Sequence, residues 1–150
     1  MRPLFVASLL ALAACGPRDD AQSVQVASPT ASVAPAPAGD PDISAAQLVG
    51  EYRVAGVGGE SIDLPHAITL SLSSDRITLV ADCVNAVWGY HLERGSLATK
   101  RLPVMSCQRG LMAQEQAVFA ALDGATRIVH LPSGAYEVSG QGPSLTIFTQ

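Results

Sequence analysis

The sequence predicts an α+β domain, a mostly antiparallel sheet or small open barrel with one helix, set behind a signal peptide and a disordered linker. Three observations lead there. Short stretches in which apolar and polar residues alternate recur from about residue 50 onward, separated by Gly, Pro, Ser and Asp. One segment alone, residues 108–122, carries a helical repeat. The front of the chain holds an apolar run and then an Ala/Pro-rich stretch with no apolar period. The expected layout is residues 1–14 as signal peptide, 15–43 as tether and 44–150 as folded domain.

Met1-Arg2-Pro3 opens the chain with a positive charge, and residues 4–14 form an apolar run. At about 11 residues this run suits a signal peptide and is too short for a helix that must cross ~30 Å of hydrocarbon. It closes on Leu12-Ala13-Ala14-Cys15, which resembles the lipobox of bacterial lipoproteins. The resemblance implies cleavage before Cys15 and lipidation of its thiol, with acyl chains such as palmitate holding the mature protein on a membrane. Two or three chains hold far more firmly than the marginal single one. Gly16 stands where an Asp commonly signals retention at the inner membrane, so the expected location is the outer membrane, facing the periplasm. Between Gly16 and Pro41 the chain is rich in Ala, Pro, Ser, Gln and Val without aromatic residues, and cannot bury enough surface to offset its ordering entropy. It reads as a tether.

Within the domain, residues 50–55 read as the first strand and 56–59 as a glycine-rich loop; no Lys-Ser/Thr follows those glycines, so a phosphate loop is not indicated. Residues 66–73 alternate cleanly, with Ile68, Leu70 and Leu72 on one face. Ser73-Ser74-Asp75 has turn chemistry, and residues 76–82 return with Ile77, Leu79 and Ala81 on one face, making a hairpin. Residues 86–92 place Trp88, Tyr90 and Leu92 together, and 96–102 form a polar-edged strand. After the helix, strands are expected at 126–131, 135–139 and 144–149, joined by Pro132-Ser133-Gly134 and by Gly140-Gln141-Gly142-Pro143.

Charge and composition narrow the partners. The formal net charge is −4, one more negative once Arg2 is removed, and no Lys/Arg cluster occurs. Nucleic acid and anionic headgroups, which both need concentrated positive charge, are not expected partners. Cysteines number three. Lipidation of Cys15 leaves Cys83 and Cys107 as a pair in an oxidising compartment, which favours a disulfide. Two buried thiols, or a metal pair with histidine, are the alternatives; there is no Cys-x-x-Cys, and His91 falls on the strand face opposite Trp88.

Cys83-Val84-Asn85 followed by Trp88-Gly89-Tyr90, then Cys107 ahead of a helix with Glu115, Phe119 and Leu122, resembles the META-domain (HslJ-like) family. Tyr136-Glu137-Val138 and Leu145-Thr146-Ile147-Phe148 complete the pattern over residues 48–150. The sequence departs from the family where Asp82-Cys83-Val84-Asn85 replaces the usual Gly-Cys-Asn, and where a Thr ahead of the second Cys is missing. The resemblance implies a small incomplete β-barrel with one packed helix, envelope lipoproteins associated with heat shock and antibiotic tolerance, and no established enzymatic activity.

Glu115 is the most informative position. Leu111, Met112, Val118, Phe119 and Leu122 make the apolar stripe of the helix, and Glu115 falls on it. A carboxylate there must be paired or hydrogen-bonded; backbone amides or an arginine such as Arg53 or Arg101 would serve, and a ligand or catalytic carboxylate in a barrel mouth is the sharper reading. Asn85, Trp88 and Tyr90 are the other candidates, read as turn and core rather than recognition patch. His66, His91 and His130 show no ligand spacing, and no Gly-x-Ser-x-Gly or Ser/His/Asp grouping occurs. The expectation is therefore a monomeric, non-catalytic envelope protein without metal or cofactor, acting through contact with another envelope component. The alternatives are a barrel that binds a small apolar ligand, and an inhibitor of an envelope hydrolase acting through residues 56–59 or 140–143.

Overall fold

A computed structural model describes residues 43–150; Cys15, the signal peptide and nearly all of the tether lie outside the described residues. Alternation sets the strands: β1 (Gly50–Val57), β2 (Glu60–Ser61), β3 (Ile68–Leu72), β4 (Arg76–Ala81), β5 (Val84–Glu93), β6 (Ser96–Leu102), β7 (Ala125–His130), β8 (Tyr136–Gly140) and β9 (Leu145–Thr149), with helix α1 (Ala113–Asp123) between β6 and β7. In β3 and β4 every second residue is buried, as the period of two requires.

The barrel is closed, not incomplete or open. Eight strands run antiparallel in the order β1-β3-β4-β5-β6-β7-β8-β9, and β1 pairs again with β9 from Tyr52↔Thr149 to Val57↔Leu145. A register shift between Val54 and Gly56 bends β1, as bulges do where a sheet must curve. Closure joins residues nearly 100 positions apart and leaves the eight strands without a free edge. The thinnest seam is β6–β7, with the single register pair Ser96↔Arg127. There the end of α1 docks on β6 instead: the Thr99 hydroxyl donates to the Leu122 carbonyl, and Arg101 pairs with Asp123.

Two further departures concern ends. The predicted loop at 56–59 is partly strand, because β1 continues to Val57 and turns through Gly58 and Gly59 into β2. Both glycines have positive φ, 62° and 84°, which a two-residue hairpin of this twist requires. Ile43, placed in the tether by composition, belongs to the core beside Leu48, whose carbonyl accepts from the Tyr52 hydroxyl at 3.0 Å.

Side chains fill the interior. Trp88, Tyr52, Leu70, Leu79, Leu122, Ile128 and Ile147 are among the largest fully buried groups, and strand and helix residues form one continuous cluster. Helix α1 touches β1, β6, β8 and β9. Its C-terminal end meets the β8–β9 turn backbone to backbone: a Cβ on Gly140 would lie 2.0 Å from the Gly124 oxygen, and one on Gly142 2.4 Å from the Ala120 oxygen. The Gly140–Pro143 segment, expected only as a turn, is thus a packing surface that admits no side chain at either glycine.

Candidate functional site

The helix starts later than its sequence pattern suggests. Residues 108–112 are irregular, and α1 begins at Ala113. Glu115 explains the boundary: its Oε2 accepts the Met112 backbone N–H at 2.8 Å, occupying one of the free donors of the first turn. The irregular backbone also lets Arg109 fold back on the helix. Its guanidinium grips the same carboxylate with two bonds, Nη1 to Oε2 at 2.8 Å and Nη2 to Oε1 at 2.6 Å. His66, from the segment before β3, reaches Oε1 through Nε2 at 2.9 Å. An ionised carboxylate only accepts, so Nε2 carries the proton.

Glu115 is only 1 % exposed, yet it stays ionised. The Arg109 bonds hold its carboxyl down at about 2, outweighing burial, which pushes the other way; the Met112 amide and His66 add to the lowering. The bond to Glu115 raises Arg109 in turn. Arg109 also donates to the Ala81 carbonyl at 3.4 Å and stands 3.9 Å from Asp82. Neither arginine suggested by the sequence is the partner: Arg53 points outward from β1, and Arg101 is engaged at the other end of the helix.

Cys83 and Cys107 are joined as a disulfide, with Cα atoms 5.6 Å apart, in the usual range for such bridges. Cys83 follows Asp82 in the β4–β5 turn, where Asp82 takes a left-handed conformation, φ 57°. Aspartate tolerates that region better than most residues, though glycine is more at ease there. The bridge, the Cys107 N–H to Cys83 carbonyl bond and the Asn85 N–H to Ser106 Oγ bond at 3.0 Å fasten the chain before α1 to this turn.

A second cluster lies at the other end of α1. Trp88, fully buried, donates through Nε1 to Asp123 Oδ1 at 2.7 Å and meets Phe119 edge-on at 5.3 Å between ring centres. Arg101 bonds both oxygens of Asp123 and lies over the Phe119 ring at 4.7 Å, a cation–π arrangement. Tyr90 donates its hydroxyl to the Ser73 carbonyl at 2.6 Å, and burial pushes its pKa up, with the Asp75 charge adding to the rise.

The four candidates therefore do not converge. Glu115 and Trp88 serve opposite ends of one helix, Tyr90 ties β5 to the β3–β4 turn, and Asn85 lies exposed beside the disulfide, its Nδ2 on the Cys83 carbonyl at 3.4 Å. Among the described residues no group of three or more His, Cys, Asp or Glu is placed to hold a metal ion. Sequence reasoning missed Arg109 and His66. Arg109 was hidden by its place in a supposed helical run, where a residue six positions before Glu115 would face away from it. His66 carried no local signal, being 49 positions distant.

The fold and this arrangement define a closed, side-chain-filled antiparallel barrel with one helix anchored through a buried carboxylate. Residues 46–146, two-thirds of the chain, match the META domain family model, and the chain belongs to that family. No curated protein and no solved structure matches it.

Proposed function

We propose that this protein is a non-catalytic envelope lipoprotein whose META domain supports envelope integrity under stress by contacting another envelope component. Lipid on Cys15 holds it on the outer membrane, facing the periplasm, and the stretch from there to residue 42 tethers the domain. What carries this reading is the state of the buried carboxylate. Both oxygens of Glu115 are engaged, by Arg109, His66 and the Met112 amide, so its bonding supports a role in fixing the helix rather than in turning over a substrate. The filled interior favours the same reading over a ligand-holding barrel, which needs room inside. The working surface is then the outside of the domain.

The test is genetic and compartmental. A deletion strain should lose survival under heat and gain sensitivity to bulky apolar antibiotics, and the wild-type gene should restore both. Cys15→Ser should fail to restore them and should lose palmitate labelling and membrane association. Full rescue by unanchored protein, or labelling that persists in Cys15→Ser, refutes the proposal.

A further inference from the structure

The two sulfurs of the bridge are not equivalent. Cys83 is exposed, in the two-residue turn between the paired positions Ala81 and Val84. Cys107 is half-buried and packs against the core cluster. Their bridge joins this turn to the irregular stretch before α1, so it lies outside the strand ladder that closes the barrel. Thiol–disulfide exchange proceeds by attack of a thiolate on one sulfur, and access helps to decide which. Access here favours Cys83.

Other bonds than the bridge hold the same two segments together. The Cys107 N–H meets the Cys83 carbonyl, Ser106 Oγ accepts the Asn85 N–H at 3.0 Å, and Arg109 grips Glu115. With the bridge open, these bonds keep the Cys107 thiol beside Cys83. A monothiol that captures Cys83 is then expelled by Cys107, whose attack is intramolecular and so acts at high effective concentration. A dithiol escapes that reversal, because its own second thiol, equally close, completes the exchange. The β1–β9 closure and the Trp88–Phe119 packing involve neither sulfur, so opening the bridge leaves both in place.

We infer that Cys83 Sγ is an exchange site for a protein dithiol of the Cys-x-x-Cys type, which opens and recloses the Cys83–Cys107 bridge without unfolding the barrel. The partner's thiolate bonds to Cys83 Sγ as the Cys83–Cys107 bond breaks, and the electron pair leaves on Cys107 Sγ, which takes up a proton. The partner's second thiol then gives up its proton and displaces Cys83, which leaves as a thiolate and is protonated. The bridge gains two electrons and two protons, and the partner's dithiol becomes a disulfide. The same steps in reverse, with the partner in its disulfide form, close the bridge again. The site stands on the bridge and its turn alone, and goes beyond the envelope role proposed above.

The purified full-length chain in detergent tests this, with reduced thioredoxin as the probe dithiol and glutathione, at equal thiol concentration, as the monothiol. Alkylation followed by peptide mapping reads Cys83 and Cys107 separately from Cys15. Thioredoxin should open the bridge at least about ten-fold faster than glutathione. With thioredoxin whose second cysteine is replaced by serine, acid quenching at early times should catch a mixed disulfide, on Cys83 at least about ten times as often as on Cys107. Once the thiols are blocked and the probe removed, Trp88 fluorescence and circular dichroism should keep their native form. The disulfide form of thioredoxin should reclose an unblocked sample. Attack that maps to Cys107 or equally to both sulfurs, glutathione as fast as the dithiol, opening only in urea, loss of the native spectra, or failure to reclose overturns the inference.

Discussion

Replacing Glu115 with glutamine should remove a stabilisation whose pH dependence runs in one direction. The carboxyl titrates at about 2 in the folded protein against its ordinary 4.5, so the unfolded chain takes up this proton first as pH falls. The contribution is complete above about pH 4.5 and is lost between there and about 2. With about 1.36 kcal/mol for each pH unit of separation, it amounts to on the order of 3 kcal/mol at neutral pH and to about half of that or less at pH 3. Glutamine matches the size of glutamate but puts an uncharged amide against Arg109 and His66. Urea unfolding, followed by the fluorescence of the single tryptophan, Trp88, gives both stabilities at each pH. The variant should be less stable by about 3 kcal/mol at pH 7, and the gap should shrink to about half of that or less by pH 3. Titration of the remaining carboxylates is common to both proteins and cancels. A gap that stays constant or widens as pH falls from 4.5 to 3 would falsify the assignment of Glu115 as an ionised, arginine-held carboxylate.

Three other expectations follow from separate features. Reduction of Cys83–Cys107, with a sequence separation of 24, should cost about 3.5 kcal/mol in the chain-entropy model; two alkylatable thiols in the native, unreduced protein would show that the bridge is not there. Gly142→Ala should destabilise by about 2 kcal/mol or more in thermal or urea melts, because its Cβ would meet the Ala120 oxygen at 2.4 Å, whereas Gly59→Ala meets no neighbour within 4 Å and should suffer only the milder strain of a positive φ. Trp88→Ala, scored by circular dichroism since it removes the fluorophore, should cost about 3–5 kcal/mol through the cavity left against Phe119; a loss under about 1 kcal/mol would mean that this interior is not packed around the indole.

Local patterning made most of the fold legible. The strands at β3, β4 and β6 follow from alternation and turn residues that lie within ten positions of each other, and their observed bounds differ from the expected ones by two residues at most. The helix start was misjudged because its apolar spacing extends back through Leu111 and Met112, while the cap that ends it comes from Glu115, a residue inside the helix. The same misjudgement concealed Arg109. A helical backbone there would have carried its guanidinium away from Glu115; the irregular one, tied to the β4–β5 turn through Cys107 and Cys83, brings it back.

By itself the sequence determined the order and approximate place of most strands and of the helix, and that Glu115 sits on an apolar face and needs partners, and it favoured Cys83 and Cys107 as a pair over free thiols or a metal site. Those are properties of spacing and composition, which act over a few residues. Only the tertiary structure decided that the barrel closes through β1 and β9, that His66 and Arg109 are the partners of Glu115, and that Met105 stands out in solvent. Each depends on which distant segments share an edge or a turn. The alternation in β1 is satisfied equally well by an open sheet and by a closed one, and only the bend at Val54/Gly56 together with the far edge of β9 selects closure.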